Sequence, residues 1–186
     1  MKYTHVSIFD FDGTLFTSPE EERAKELYFE ATGKLWPHQG YWGRAESLQH
    51  PVIPDPIPKE MFIGPVVERY REDMKDKNKK VVLMTGRPYK NRKHVQRILN
   101  SNQISFHEEY YRGQPGSKGR NTFEIKMNMI RDHLIHDELE IIEIWEDRID
   151  HLSAFMTEAK NLKSKYKKHL EKVIVHDAPN FLHYEF

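Results

Sequence analysis

The residues best suited to chemistry stand in four groups along the 186-residue chain. The first is Asp10-Phe11-Asp12-Gly13-Thr14-Leu15, directly after an apolar run. On extended backbone, carboxylates two residues apart project to the same side. Adjacent acids repel, so a cation or a shared proton is expected between them, and Gly13 lets the chain turn sharply after the pair. The second group is Met84-Thr85-Gly86-Arg87. A hydroxyl and backbone N–H groups at a strand end, just before a helix, suit phosphate oxygens. The third is Lys126, whose ammonium could project towards the same edge, and the fourth is Glu146-Asp147, two further acids behind an apolar run. Taken singly, an Asp-x-Asp pair is commonly a turn and a lone lysine a surface residue. A divalent metal is the one structural reason for Asp10, Asp12 and Asp147 to converge.

Elements that alternate between strand and helix must position these groups. A strand runs from Thr4 to Phe9, and a helix starts at Ser18-Pro19, with Ser18 as N-cap, and stops near Gly33. Residues 34–64 form an irregular Trp/Pro-rich insertion, in which His50 to Pro58 holds four prolines and reads as extended chain. A helix from Pro65 to Lys77 leads to a buried strand, Lys80 to Met84, of the parallel kind. Then come a helix from Lys90 to Asn100, a short strand from Ile104 to Phe106, a glycine-rich loop at 113–121 and a helix from Thr122 to His133. A strand from Leu139 to Trp145, a helix from Ile149 to His169 and a closing strand from Lys172 to Val175 complete the chain. The pattern is that of a single α/β domain over residues 1–186, a mostly parallel sheet with helices on both faces. Such sheets bind ligands at the carboxyl ends of their strands, where three of the four groups fall.

Composition narrows the function classes. No cysteine is present, which removes disulfides, thiolate nucleophiles and Cys-based metal sites. No apolar run approaches the length of a membrane span, and no secretory signal opens the chain, so a cytoplasmic protein is expected. The net charge is zero, yet residues 66–131 carry 16 basic against 7 acidic side chains. That asymmetry would favour phosphate-rich ligands if it faced one surface, although basic side chains coating exposed helices explain it as well.

Ile8 to Leu15, Val82 to Arg87, Lys126 and Ile144 to Asp147 resemble the four ordered motifs of the haloacid dehalogenase (HAD) superfamily. Tyr41-Trp42 with Ser47-Leu48, Thr122 to Lys126, and Glu146-Asp147-Arg148 with His151 and Phe155 are similar to the HAD domain of Swiss Army Knife RNA repair-like proteins. The resemblance implies a Rossmann-like HAD fold with a small cap-like insertion after the first motif, Mg²⁺ as cofactor, and phosphatase chemistry through an aspartyl phosphate. It further implies catalytic roles for Asp10 as nucleophile, Asp12 as general acid and base, Thr85 and Lys126. Substrate oxygens would be bound by Thr85, Gly86, Arg87 and Lys126, and the metal held by Asp10, Glu146, Asp147 and the backbone carbonyl of Asp12.

The expected substrate is a nucleotide or polynucleotide end phosphate, RNA or DNA. Neither the stretch of about 65 residues after Asp12 nor the 38 between Arg87 and Lys126 reads as a large independent cap, and an open site admits a macromolecular end. The basic run from Arg87 to Arg97 is placed near the crevice mouth, and Lys118 and Arg120 lie in the glycine-rich loop; an exposed basic helix and a solvated loop explain them as well. Trp36, Tyr41 and Trp42 could stack on bases, though Trp42 reads more readily as core packing. Of eleven histidines, His151 is placed at the site edge and the rest are read as surface residues. The alternatives are a small-molecule phosphomonoesterase, or a non-catalytic nucleic-acid-binding module whose metal site is structural.

Overall fold

A computed structural model describes residues 3–186. The strands are β1 (His5–Phe9), β2 (Lys79–Pro88), β3 (Glu108–Arg112), β4 (Ile141–Glu146), β5 (Lys172–Asp177) and β6 (Leu182–Glu185). They form one sheet in the order β3-β2-β1-β4-β5-β6, parallel except for the last strand, β6, which runs antiparallel to β5. The helices are α1 (Glu21–Thr32), α2 (Gly64–Asp73), α3 (Arg92–Ser101), α4 (Thr122–Met129) and α5 (Ile149–Lys165). No helix among the described residues is long and apolar enough to cross a membrane.

Alternation along the strands builds two cores. Phe9, Val81 and Leu83 point to one face and pack with Val66, Val67 and Tyr70 of α2 and Val95, Ile98 and Leu99 of α3. Val6, Ile8, Val82, Ile142 and Ile144 point to the other and meet Met127 and Met129 of α4 and Leu152, Phe155 and Leu162 of α5. Both faces of the sheet are therefore covered, which is why the central strands read as near-continuous apolar runs.

β1 lies between β2 and β4, with Phe9 opposite both Leu83 and Trp145. The chain winds outward in both directions from β1, so its carboxyl end is the topological switch point. That register alone brings the residues after Phe9, Leu83 and Trp145 to one place.

Several boundaries depart from the sequence reading. The first helix begins at Glu21, not Ser18, because the Ser18 hydroxyl donates to Asp12 instead of capping; Gly33 ends the helix in a left-handed conformation as expected. β2 continues to Pro88 through a register shift against β3, where Gly86 and Pro88 read as the end of a strand. The strand expected at Ile104 to Phe106 starts at Glu108 instead. Its two glutamates are tolerated because Lys80 pairs with Glu108 and Gln96 donates to Glu109. α4 gives way to a π turn over Ile130–Leu134, and α5 stops at Lys165. β6 carries only exposed side chains and therefore no apolar pattern to read.

Two histidines read as surface residues belong instead to a buried charge network. Glu143, in the middle of β4, receives His5 at 2.6 Å, Arg69 at 3.0 Å, Lys79 at 3.1 Å and His176 at 3.0 Å; Lys79 and Arg69 also hold the buried Asp73. Burial would push the Glu143 carboxyl up, but these donors outweigh it and hold it well below the usual carboxylate range. A carboxyl depressed in the fold stabilises above its unfolded value and loses that contribution as pH falls towards the folded one. Glu143→Gln is expected to cost about 3 kcal/mol at pH 7, or roughly 6–12 °C in Tm. The gap between variant and wild type should narrow as pH falls below about 4.5 in thermal denaturation; a gap independent of pH would show that the ionised carboxylate contributes nothing.

Candidate active site

The turn after β1 is set by hydrogen bonds from Leu15 and Phe16 N–H to the Phe11 carbonyl and from Gly13 N–H to Phe16. Gly13 sits at φ +70°, and a Cβ there would fall 2.1 Å from Asp147 Oδ2. Glycine is thus required twice, for the left-handed backbone and for the approach of the Asp147 carboxylate. Asp10, Asp12, Gly13, Gly86, Arg87, Lys126 and Asp147 line one pocket of about 590 Å³ with Thr17, Ser18, Glu20, Trp42, Arg112, Thr122, Arg148 and His151.

The acids divide into two sets. Asp10, Glu146 and Asp147 each offer an oxygen within 4.8 Å of the others. Lys126 enters from α4, with Nζ 2.7 Å from Glu146 Oε2 and 3.1 Å from Asp10 Oδ2. Glu146 also takes His151 Nδ1 at 3.2 Å and the N–H groups of Asp147 and Arg148. Burial lowers the Lys126 ammonium's affinity for its proton, but Asp10 and Glu146 outweigh this and hold it well above the usual lysine range. Burial would likewise raise Glu146, yet Lys126 and His151 keep it far below.

Asp10 and Asp147 stand differently. Burial, then the neighbouring acids, push Asp10 well above the carboxylate range, Lys126 pulling the other way. Burial and Glu146 push Asp147 up to about 7. Oδ1 of each is buried without a hydrogen-bond partner among the described residues. Two orphaned carboxylate oxygens beside a third acid are the donor set of a hard divalent cation, and the residues present fit one.

Asp12 belongs to the second set. Its carboxylate faces Arg87, whose Nε lies 2.8 Å from Oδ2 and Nη2 2.7 Å from Oδ1, a bidentate pair. Arg87 is 2% exposed. Its Nη1 donates to the Trp42 carbonyl at 2.9 Å and to Ser47 Oγ at 2.7 Å, and its guanidinium lies 4.8 Å from the centre of the Trp42 ring. The expectation that Arg87 binds substrate meets a guanidinium already committed to Asp12 and the insertion.

Thr85 is buried, with its hydroxyl oxygen accepting the Arg87 N–H at 3.1 Å. It does not line the pocket, whereas Thr122, at the start of α4, does; its methyl would lie 2.9 Å from a Cβ on Gly86. Thr122, Arg112 and Arg148 are pocket residues the sequence reading did not assign. Only the N-terminal position of α4, with Asn121 capping it, offered a signal for Thr122. Of the run from Arg87 to Arg97 only Arg87 lines the pocket; Arg97 donates to the Leu48 carbonyl, and Arg120 pairs with Glu124. Trp42 is not core packing, since it is 40% exposed and lines the pocket, whereas Tyr41 is buried.

The raised carboxyls carry a consequence for pH. Between the ordinary aspartate value and about 7, the folded protein retains protons the unfolded chain has released, so stability without a cation falls as pH rises. A divalent cation must displace those protons and binds better at higher pH. Saturating Mg²⁺ is expected to raise Tm by about 5–10 °C at pH 8 and by much less at pH 5.5. Asp147→Asn should abolish the gain in differential scanning calorimetry; a gain equal at both pH values would count against these carboxyls as ligands.

The chain has relatives among known proteins. The family profile described as "HAD domain family 1 in Swiss Army Knife RNA repair proteins" matches residues 38–186. No curated protein matches. Two solved structures, one of the Pnkp1/Rnl/Hen1 complex and one described as the Pnkp1/Rnl/Hen1 RNA repair complex, each align over 84% of this chain at 18% identity with a TM-score of 0.53. They are covered over 43% and 40% of their own length, so the chain spans about two fifths of those proteins. CbbY from Rhodobacter sphaeroides in complex with phosphate aligns over 94% of this chain and 86% of its own at 17% identity and a TM-score of 0.44. With a family profile that spans most of its residues, the chain belongs to HAD domain family 1 of Swiss Army Knife RNA repair proteins.

Proposed function

We propose that this domain is a Mg²⁺-dependent phosphatase that works through a phosphoaspartate at Asp10 and removes the terminal phosphate of a nucleotide or polynucleotide, RNA or DNA. The observation that carries this reading is the separation of the two aspartates. Asp10 shares Lys126 and the acid cluster, while Asp12 is turned across the pocket and held by Arg87. Two carboxylates in such different surroundings can take different roles.

In the first step an Asp10 oxygen attacks phosphorus and the ester P–O bond breaks. The electron pair stays on the leaving oxygen, which takes a proton from Asp12. In the second step Asp12, now ionised, takes a proton from a water that attacks phosphorus. The P–O bond to Asp10 breaks, Asp10 is regenerated and inorganic phosphate leaves. Lys126 and the Gly86 N–H stabilise the phosphoryl oxygens, and Thr85, whose hydroxyl oxygen accepts the Arg87 N–H, shapes the turn that presents Gly86. Arg87 orients Asp12, which must carry a proton before the first transfer and is ionised for the second. Asp10, Asp147 and the backbone carbonyl of Asp12 would hold Mg²⁺, with Glu146 at its edge; a bound Mg²⁺ screens the repulsion between Asp10 and an anionic ester.

The substrate class is supported by the family and by the pocket itself. Exposed Arg112, Arg148 and Trp42 border the pocket, and the structurally similar proteins are described as an RNA repair complex. Phosphate release should be measured from nucleoside monophosphates, sugar phosphates and oligonucleotides phosphorylated at the 3′ or 5′ end, with Mg²⁺ and with chelator. Asp10→Asn should reduce release by more than about 10³-fold, and Asp12→Asn by about 10²–10⁴-fold. Salt-dependent oligonucleotide binding with no release from any ester would overturn catalysis in favour of a binding module. Release from small esters alone would overturn the polynucleotide assignment.

A further inference from the structure

We infer that Arg112 and Trp42 form a subsite for the nucleotide that follows the phosphate-bearing one: Arg112 receives the phosphodiester that links the two, and Trp42 stacks on the second base. This rests on the phosphatase reading and assigns the part of the pocket that the reaction leaves unused. Four cations line the pocket, and three are committed. Arg87 holds Asp12, Lys126 bridges Asp10 and Glu146, and Arg148 pairs with Asp150 at 2.7 Å. Arg112 makes no ion pair or side-chain hydrogen bond among the described residues and is exposed. It is the lining cation whose charge is available to an anion that enters from solvent.

Its position is fixed by the fold. Arg112 is the last residue of β3 and is paired with Pro88, just past the bulge that carries Gly86 and Arg87. The guanidinium lies against Gly43, where a Cβ would stand 3.8 Å from Nη2, and Asn91 holds the Gly43 carbonyl at 3.3 Å. Trp42 is the neighbouring residue. Its ring rests on the Arg87 guanidinium and edge-to-face on Tyr41, 5.0 Å between centroids, yet it stays 40% exposed and lines the same pocket. A large aromatic kept at a pocket rim by a buried cation, beside a free guanidinium, matches what a single-stranded nucleotide presents. A π face stacks on the ring and a phosphodiester meets the cation. A mononucleotide has a terminal phosphate and a base but no second phosphate, so it leaves Arg112 empty.

The test compares kcat and KM for a nucleoside monophosphate, the corresponding phosphorylated dinucleotide, and the same dinucleotide with an abasic residue next to the phosphate-bearing nucleotide. Wild type should gain in kcat/KM from mononucleotide to dinucleotide. Arg112→Ala should remove about tenfold of that gain through KM, with Arg112→Lys recovering part of it. The abasic substrate should lose a further part in wild type, and less in Trp42→Ala. Binding of a labelled phosphorylated hexanucleotide to Asp10→Asn should weaken about tenfold when Arg112→Ala is added, and its salt slope should fall by about 0.7. Equal loss on mono- and dinucleotide, or an unchanged gain in Arg112→Ala, would overturn the subsite while leaving the phosphatase intact. If no ester is turned over, the phosphatase reading fails. The binding arm then decides the subsite, which falls if Arg112→Ala binds the hexanucleotide as tightly as its parent.

Discussion

Four carboxylates gather at the carboxyl ends of β1 and β4, and the site depends on how their repulsion is divided. Left together in a buried crevice they would take up protons and lose the charge that chemistry needs. Two buried cations limit this from opposite sides, fully for Glu146 and only in part for Asp10. Lys126 binds Asp10 and Glu146 from the helix that covers one face of the sheet, and Arg87 draws Asp12 away towards the other. What remains, Asp10 and Asp147 with their unpartnered oxygens, is a deficit of positive charge that a divalent cation would fill.

Each cation is itself held by packing remote from the reaction. Lys126 is carried by α4, whose Met127 and Met129 sit in the core shared with α5. Arg87 is carried by β2 but braced by the insertion, through the Trp42 carbonyl and Ser47. Tyr41, Leu48, Val52 and Ile53 bury that insertion against the core beneath it. The irregular segment is therefore part of the scaffold that orients Asp12, although it contributes no strand or long helix.

The order of strands and helices and the four groups of reactive residues were legible because they follow from apolar runs and their punctuation. Convergence of Asp10, Gly86 and Asp147 in one pocket needed only a parallel sheet and a switch point. What escaped the sequence was pairing at a distance. Nothing local shows that Arg87 turns back to Asp12, that Ser18 gives up a cap to join it, or that His5 and His176 reach Glu143 across neighbouring strands. Arg112 was hidden for the opposite reason, since the glutamates before it make β3 look like a polar connection. Charge clustering in sequence said less, because neighbouring residues on α3 spread around the helix, and from that run only Arg87 lines the pocket.

Of the contacts that hold Arg87, one is of an unusual kind in that its acceptor is a main-chain carbonyl, that of residue 42. A carbonyl is the same whichever side chain its residue bears. Position 42 can therefore drift among residue types while the brace on Asp12 persists, whereas Ser47, which accepts through its hydroxyl, has no such latitude. The fold separates what must be inherited from what is open to selection. A change of side chain at the rim therefore leaves the main-chain acceptor of Arg87 in place.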